Sequence, residues 1–191
     1  MKKTIIFAVA LLFMAGAKAQ SAHFGLKGGL NASSLSNSSS SESKIGFNAG
    51  ILAHIHTSNK MWAIQPEVYY SDEGAKSKSN NDVKLDLGYI NIPVLAQYMF
   101  DQGWRIEAGP QVGFAVSAKS KDGSATTDIK SSVNSAVFSI PVGLGYLTST
   151  GLGFDARYNF GISNIYKSSL TKVHSNVFQF DVFYQFPEKR R

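Results

Sequence analysis

The chain has no cysteine among its 191 residues. That excludes disulfides, a thiolate nucleophile and thiolate metal ligands, and it leaves no site for a lipid anchor after the leader. Charge is also sparse, at 17% of residues. The formal net charge of +6 overstates any basic character. Lys2, Lys3 and Lys18 belong to the leader, which leaves 16 basic residues against 13 acidic ones. Setting aside the last five residues, which hold Lys189, Arg190, Arg191 and Glu188, leaves 13 against 12. No basic groove remains to argue for nucleic acid, and the terminal trio reads as a solvated cluster. After residue 15 no apolar run is long enough for a membrane-spanning helix.

What is present begins with a leader. Met1-Lys2-Lys3 precedes an apolar run over 4–15 and then Ala17-Lys18-Ala19. This predicts a secretory signal peptide over 1–19, cleaved after Ala19. About 170 residues follow, enough for one domain.

The last stretch, 177–186, sets the pattern for the rest. Phe178, Phe180, Val182, Tyr184 and Phe186 alternate with Gln179, Asp181, Phe183 and Gln185. Strict alternation over ten residues predicts a strand with one apolar and one polar face. Similar alternation predicts strands over 23–31, 45–56, 61–71, 85–100, 104–118, 134–147 and 151–162. Short turns at 57–60, 101–103 and 148–150 alternate with longer polar loops over 32–44, 72–84, 119–133 and 163–175. The loops are rich in Ser, Asn, Asp and Lys, and they read as flexible segments that bury no core. Pro66, Pro93, Pro110 and Pro141 fall inside predicted strands, where each removes a ladder donor, so bulges are expected there.

Eight strands with this loop asymmetry predict an all-β fold: an eight-stranded antiparallel up-and-down transmembrane β-barrel with short periplasmic turns and longer extracellular loops over 20–186. A soluble lipocalin-like barrel is the competitor, with its apolar face inside. Periodicity alone does not choose between them. Three observations favour the membrane version. The polar face carries Gly, Asn, Gln and charge on nearly every strand, the leader fits export, and the aromatics fall in two bands. Phe24, Trp62, Phe100, Trp104, Tyr146, Phe154 and Phe186 lie at turn-side ends. Phe47, Tyr70, Phe114, Phe138, Phe160 and Phe178 lie nearer the loops. Two aromatic girdles are what the two membrane interfaces select.

Four stretches go further: 65–74, which runs Gln65-Pro66-Glu67-Val68-Tyr69-Tyr70-Ser71 through Gly74; 89–95, Tyr89-Ile90-Asn91-Ile92-Pro93-Val94-Leu95; 108–114, Ala108-Gly109-Pro110-Gln111-Val112-Gly113-Phe114; and 157–165, from Arg157 to Ile165. With the leader and last strand, they resemble the PorT-like outer-membrane beta-barrel family. The resemblance implies a small non-enzymatic barrel in the outer membrane. Its name-giving member's association with protein secretion adds a secretion or assembly partner as an expectation. The chain departs from the pattern by continuing over 187–191 after Phe186.

Inward positions hold Lys27, Glu67, Arg105, Glu107, Asp155, Arg157 and Asp181. An eight-stranded barrel is just wide enough for side chains to fill, so these seven predict a paired polar network, with a narrow proton or ion path as the alternative. A glycosidase-type carboxylate pair has no cleft to work in. His54 and His56 share one face, and hairpin register can set His23 opposite His54. Three imidazoles at one rim are weak candidates for Zn or Cu, and no metal or other cofactor is assigned. His174 near Ser168, Ser169 and Ser175 is the only Ser–His arrangement on the loop side, and composition gives it no catalytic geometry. The expected role is structural or interactive, through loops centred near Ser38, Lys78, Gly123 and Lys167. The expected partners are outer-membrane lipid and lipopolysaccharide, an envelope or secretion protein, and the insertion machinery, which would read the strand ending at Phe186.

Overall fold

The computed structural model describes residues 22–36, 41–59, 61–78, 83–167 and 173–187. The leader, Ser38, Ser168, Ser169 and tail residues 188–191 lie outside them. The alternating segments form β1 (Ala22–Leu35), β2 (Ser41–His56), β3 (Trp62–Ser77), β4 (Val83–Met99), β5 (Trp104–Ala108), β6 (Gln111–Asp122), β7 (Ala125–Asp128), β8 (Ala136–Leu147), β9 (Leu152–Gly161) and β10 (Ser175–Gln185). Every pairing is antiparallel. Successive strands pair in turn, except that β5 does not pair with β6 nor β7 with β8, and β10 pairs back onto β1, with Gly25 opposite Gln185 and Leu35 opposite Ser175. Closure leaves the wall without an edge.

The wall has eight strands because β5 and β6 act as one. Both pair with β4 and β8. The register runs straight through Gly109-Pro110: Ala96 faces Ala108 and Pro93 faces Gln111. The prolines are thus accommodated without the bulges expected of them. Each proline donates nothing to the ladder, but its carbonyl still accepts and holds the register: Val94 N–H donates to the Pro110 carbonyl at 3.0 Å and Gly109 N–H to the Pro141 carbonyl at 3.2 Å. Register shifts occur elsewhere, toward the loop ends, between Ser43 and Asn48 of β2 and between Gly88 and Tyr89 of β4.

Tight turns close the other end. Phe100 N–H bonds the Trp104 carbonyl at 2.8 Å around a 3-10 turn, Asp101–Gly103. Gly151 takes a φ of +89° in the β8–β9 turn, a conformation that side chains disfavour.

The polarity of the barrel is inverted relative to a soluble one. Twenty-nine large apolar side chains among the described residues stand exposed. A continuous apolar surface of that extent is not stable in water. The turn-side girdle touches ring to ring: Trp62–Tyr98 at 5.1 Å, Tyr98–Phe100 at 4.9 Å and Trp104–Tyr146 at 5.1 Å. Phe24, Phe154 and Phe186 are exposed at the same end. On the loop side Phe47 meets Tyr70 at 5.7 Å, and Tyr70, Ile90 and Phe114 are register partners across β3, β4 and β6. The strands between the two girdles are about ten residues long, as a tilted spanning strand requires. Most strands are longer than that, up to 17 residues. Because the turn-side girdle abuts the turns, the excess projects beyond the loop-side girdle.

That projection corrects the reading of the loops. Residues 32–35, 41–44, 72–77, 83–84 and 119–122 continue the strands, and β7 folds back on β6 as a hairpin. Seryl and charged residues do not stop a ladder whose neighbours already supply the partner strands.

Candidate functional site

The lumen is built from the polar faces of the strands. Lys27 of β1 reaches Glu67 of β3 at 2.9 Å and Asp181 of β10 at 2.7 Å. Arg157 of β9 holds Glu67 through two nitrogens, at 2.8 and 2.7 Å, and Asp155 at 3.0 Å, and its Nε bonds Glu107. Arg105 of β5 bonds Asp155 at 2.8 Å and stacks on the Phe183 ring, 4.4 Å from its centre. Neutral groups complete the shell: Gln97 donates to Glu107 at 2.6 Å, Gln65 to Glu67 at 2.8 Å, and Asn48 and Gln179 to Asp181 at 2.8 and 2.7 Å. All seven sequence-selected charges join this one network, and all are buried. Three cations face four carboxylates, and each carboxylate touches at least one cation. Buried charge is tolerated only when paired in this way.

Small residues make the space. A Cβ at Gly153 would overlap the Phe183 ring, and one at Gly145 would overlap Asp155 and crowd Arg105. Glycine on β8 and β9 therefore admits the guanidinium groups and the aromatic ring opposite.

The three histidines sit at the turn-side mouth. His23 is the register partner of His54, as the hairpin predicted. His54 and His56 rings meet edge to face at 4.6 Å, and His23 and His56 at 6.0 Å. His54 Nδ1 lies 3.3 Å from Gln65 Oε1. Among the described residues no group of three or more His, Cys, Asp or Glu side chains is placed to hold a metal ion. On the loop side, Ser175 Oγ donates to Glu73 at 3.1 Å, while His174 Nδ1 lies 3.1 Å from the Ser163 carbonyl oxygen. The two neighbours in sequence are thus turned to different partners.

The sequence reading missed two features. The first is a cap over the outer mouth. Val133 and Ile165, from segments expected to be flexible, are fully buried against Leu87, Tyr89, Ala115 and Ala118. Val133 and Tyr166 form a bridge, Asn134 N–H bonds the Ile165 carbonyl at 2.7 Å, and Ser36 N–H bonds the His174 carbonyl at 2.9 Å. The available signal was a change on the inner face of β4, which becomes apolar at Leu87 and Tyr89, and isolated aliphatics at Ile129, Val133 and Ile165 within polar stretches. Beneath the cap Glu73 is buried beside a cavity of about 20 Å³ that Tyr89, Asn91 and Asn159 also line. Glu73 lies three residues beyond Tyr70 of the girdle, outside the spanning segment. Burial pushes its carboxyl above the usual range, against the hydrogen bonds from Ser175, Asn91 and Ser71.

The second is an ionic chain outside the barrel, also beyond the girdle. Lys44 reaches Asp72 and Asp86, each at 2.8 Å, and Lys121 reaches Asp86 at 2.7 Å. Burial alone would lower the Lys44 ammonium, but Asp72 and Asp86 hold it above its ordinary value. Burial likewise opposes ionisation of Asp86, and Lys121 and Lys44 overcome it to bring its carboxyl below the usual range.

A family described as the outer membrane protein beta-barrel domain matches residues 18–167, most of the chain. The chain belongs to that family. The strands are therefore transmembrane strands, and the membrane is the outer membrane. The barrel is similar to neisserial surface protein A, with 16% identity and a TM-score of 0.60 over 88% of this chain and all of that one. It is also similar to Ail, the attachment invasion locus protein of Yersinia pestis, with 13% identity and a TM-score of 0.51 over 87% of this chain and 99% of that one. At such identities the likeness is one of fold. No curated protein matches the sequence.

Proposed function

We propose that this outer-membrane barrel is a closed, non-catalytic anchor whose working part is its capped extracellular face. The observation that carries the reading is the lumen. The side chains of Lys27, Glu67, Arg105, Glu107, Asp155 and Asp181 are wholly withdrawn from solvent, and that of Arg157 nearly so. A water-filled path past them would expose them. The chain is exported by the leader over 1–19, and the strand ending at Phe186 is what the insertion machinery reads. The outer ends of β2 to β7 and the cap then face lipid headgroups, lipopolysaccharide or a partner protein.

A second reading is a subunit of a secretion or assembly machine, favoured by the PorT-like stretches. Those stretches supply wall and lumen residues, Glu67, Asn91, Gln111 and Arg157 among them, so they support the barrel more directly than a docking face. In-cell photo-crosslinking from Gly123, Lys78 and the turn residue Asn59, read by mass spectrometry, separates the two. The anchor reading expects capture at Gly123 and Lys78 but not at Asn59. Capture of one periplasmic or inner-membrane protein from Asn59 would instead make this a machine subunit. In planar bilayers the anchor reading expects no unit conductance, and a steady open channel would overturn it.

A further inference from the structure

Beyond the loop-side girdle, the ladder sets like charges side by side. Lys76 of β3 faces Lys84 of β4, and Lys84 faces Lys121 of β6. All three point away from the barrel axis, because the residues that alternate with them, Ala75, Leu85 and Ala118, belong to the inner face. Like charges directly opposite each other destabilise a sheet. The acids nearby engage only Lys121 of the three. Asp72 is engaged by Lys44, and Asp86 is shared between Lys44 and Lys121. Glu42 stands opposite Lys76, and Asp128 opposite Lys119, at register positions without a salt bridge. Among the described residues Lys76 and Lys84 form no ion pair, and Lys84 has a cation on both sides. Across the barrel the highest outward residues of β1 and β10, the register partners Ser34 and Asn176, carry no charge, so the row marks one sector.

The height of the row selects its counter-charge. Lys84 lies six residues beyond Ile90 of the girdle. At about 3.3 Å per residue and a tilt of about 40°, that is roughly 15 Å above the interface. In the outer leaflet this is the depth of the sugar-linked carboxylates and phosphates of the lipopolysaccharide inner core, above the acyl chains and glycerol phosphates. We propose that Lys76, Lys84 and Lys121 form a binding row for those clustered core anions. The proposal rests on the reading that the long loops face outward.

The test uses the full chain after leader removal, folded in phosphatidylcholine nanodiscs and titrated with Kdo2–lipid A. The variants are Lys84→Gln, the triple Lys76→Gln/Lys84→Gln/Lys121→Gln, and Lys167→Gln as a charge-matched control away from the row. At about one lysine's worth of surface attraction each, the single change should weaken binding about fivefold and the triple about a hundredfold. The control should leave it unchanged. Without lipopolysaccharide, Lys84→Gln should melt no lower than the parent, because it relieves repulsion; a lower melting temperature would mean that the row is not a repulsive one and would overturn the proposal. Equal affinity of parent and triple variant would also overturn it, as would competition by phosphatidylglycerol at matched charge. The underlying topology is read separately, by labelling intact cells with a membrane-impermeant amine reagent. If Lys84 and Lys121 stay unlabelled while turn-side residues react, the orientation is wrong, whatever the row binds in nanodiscs.

Discussion

Replacing Arg157 by Met removes the hub of the lumen network while keeping an unbranched side chain of similar reach. The three carboxylates it touches are not left alike. Glu67 keeps Lys27 at 2.9 Å, and Asp155 keeps Arg105 at 2.8 Å. Glu107 keeps only the Gln97 amide at 2.6 Å and Arg105 at 3.9 Å. The change therefore strands one buried carboxylate, and breaking a buried ion pair from one side costs about 3–5 kcal/mol. Urea unfolding in lipid vesicles, followed by the fluorescence of Trp62 and Trp104, should show that loss. Adding Glu107→Gln to the Arg157→Met background should recover a large part of it, whereas adding Asp155→Asn should recover less, since Asp155 is still paired. A loss below about 1 kcal/mol for Arg157→Met, in the range of a solvent-exposed pair, would mean that water enters the lumen and screens the charges. So would equal rescue by the two second changes. Either result would refute the closed lumen and reopen the pore reading.

Gly153→Ala should cost about 1–3 kcal/mol, since its methyl enters the Phe183 ring, and Phe183→Leu should partly restore stability in the same unfolding assay. Val133→Asp removes about 1.5–3 kcal/mol of apolar burial from the cap and adds a charge to it. Trypsin should then cut after Lys130 and Lys167 in folded protein that otherwise resists it. Glu73 gives the cap a pH dependence. Its folded carboxyl is raised, chiefly by burial, so the folded state favours the proton. The stability it contributes is full below the unfolded value and is lost as pH rises toward the folded one. Hydrogen exchange of residues 129–135 and 163–167 should speed up over that rise, and Glu73→Gln should flatten the profile.

The membrane wall was legible in the sequence because two demands act on alternate residues at once. Lipid requires Phe24, Leu26 and Leu30 outside, and the narrow lumen requires Gly25, Lys27 and Asn31 inside, so period two is written twice along each strand. The seven lumen charges were legible for the same reason. Their partners were not, since which cation meets which carboxylate depends on stagger between strands as far apart in sequence as Glu67 and Arg157. The cap was hidden because its apolar residues are spaced by loop geometry and not by a period. Val133 and Ile165 are meaningful only once their segments are known to cross the barrel mouth together. The lysine row was hidden by register too, for Lys76, Lys84 and Lys121 look like ordinary loop lysines until the strands are found to extend beneath them. The proline bulges failed because the prediction considered one strand at a time. Pro110 is served by Val94 of one neighbour, and Pro141 receives Gly109 of another.

An outer-membrane barrel cannot rely on its apolar surface to choose its register, because lipid chains solvate that surface about as well as other side chains do. The choice must come from inside. Lys27, Arg105 and Arg157 each engage carboxylates of different strands, so together they tie β1, β3, β5, β9 and β10 around the ring. A slip of one residue on any of these strands turns its charges out into lipid and its phenylalanines into the lumen. A slip of two keeps the faces but unpairs Glu67 from both Lys27 and Arg157. The penalty for the second error is electrostatic, and only a dry, crowded lumen makes it large. The features that close the lumen are thus the same ones that define the fold, and a wider, wetter interior would sacrifice register along with closure. On the anchor reading proposed above, recognition then falls to the strand ends and cap that stand above the membrane.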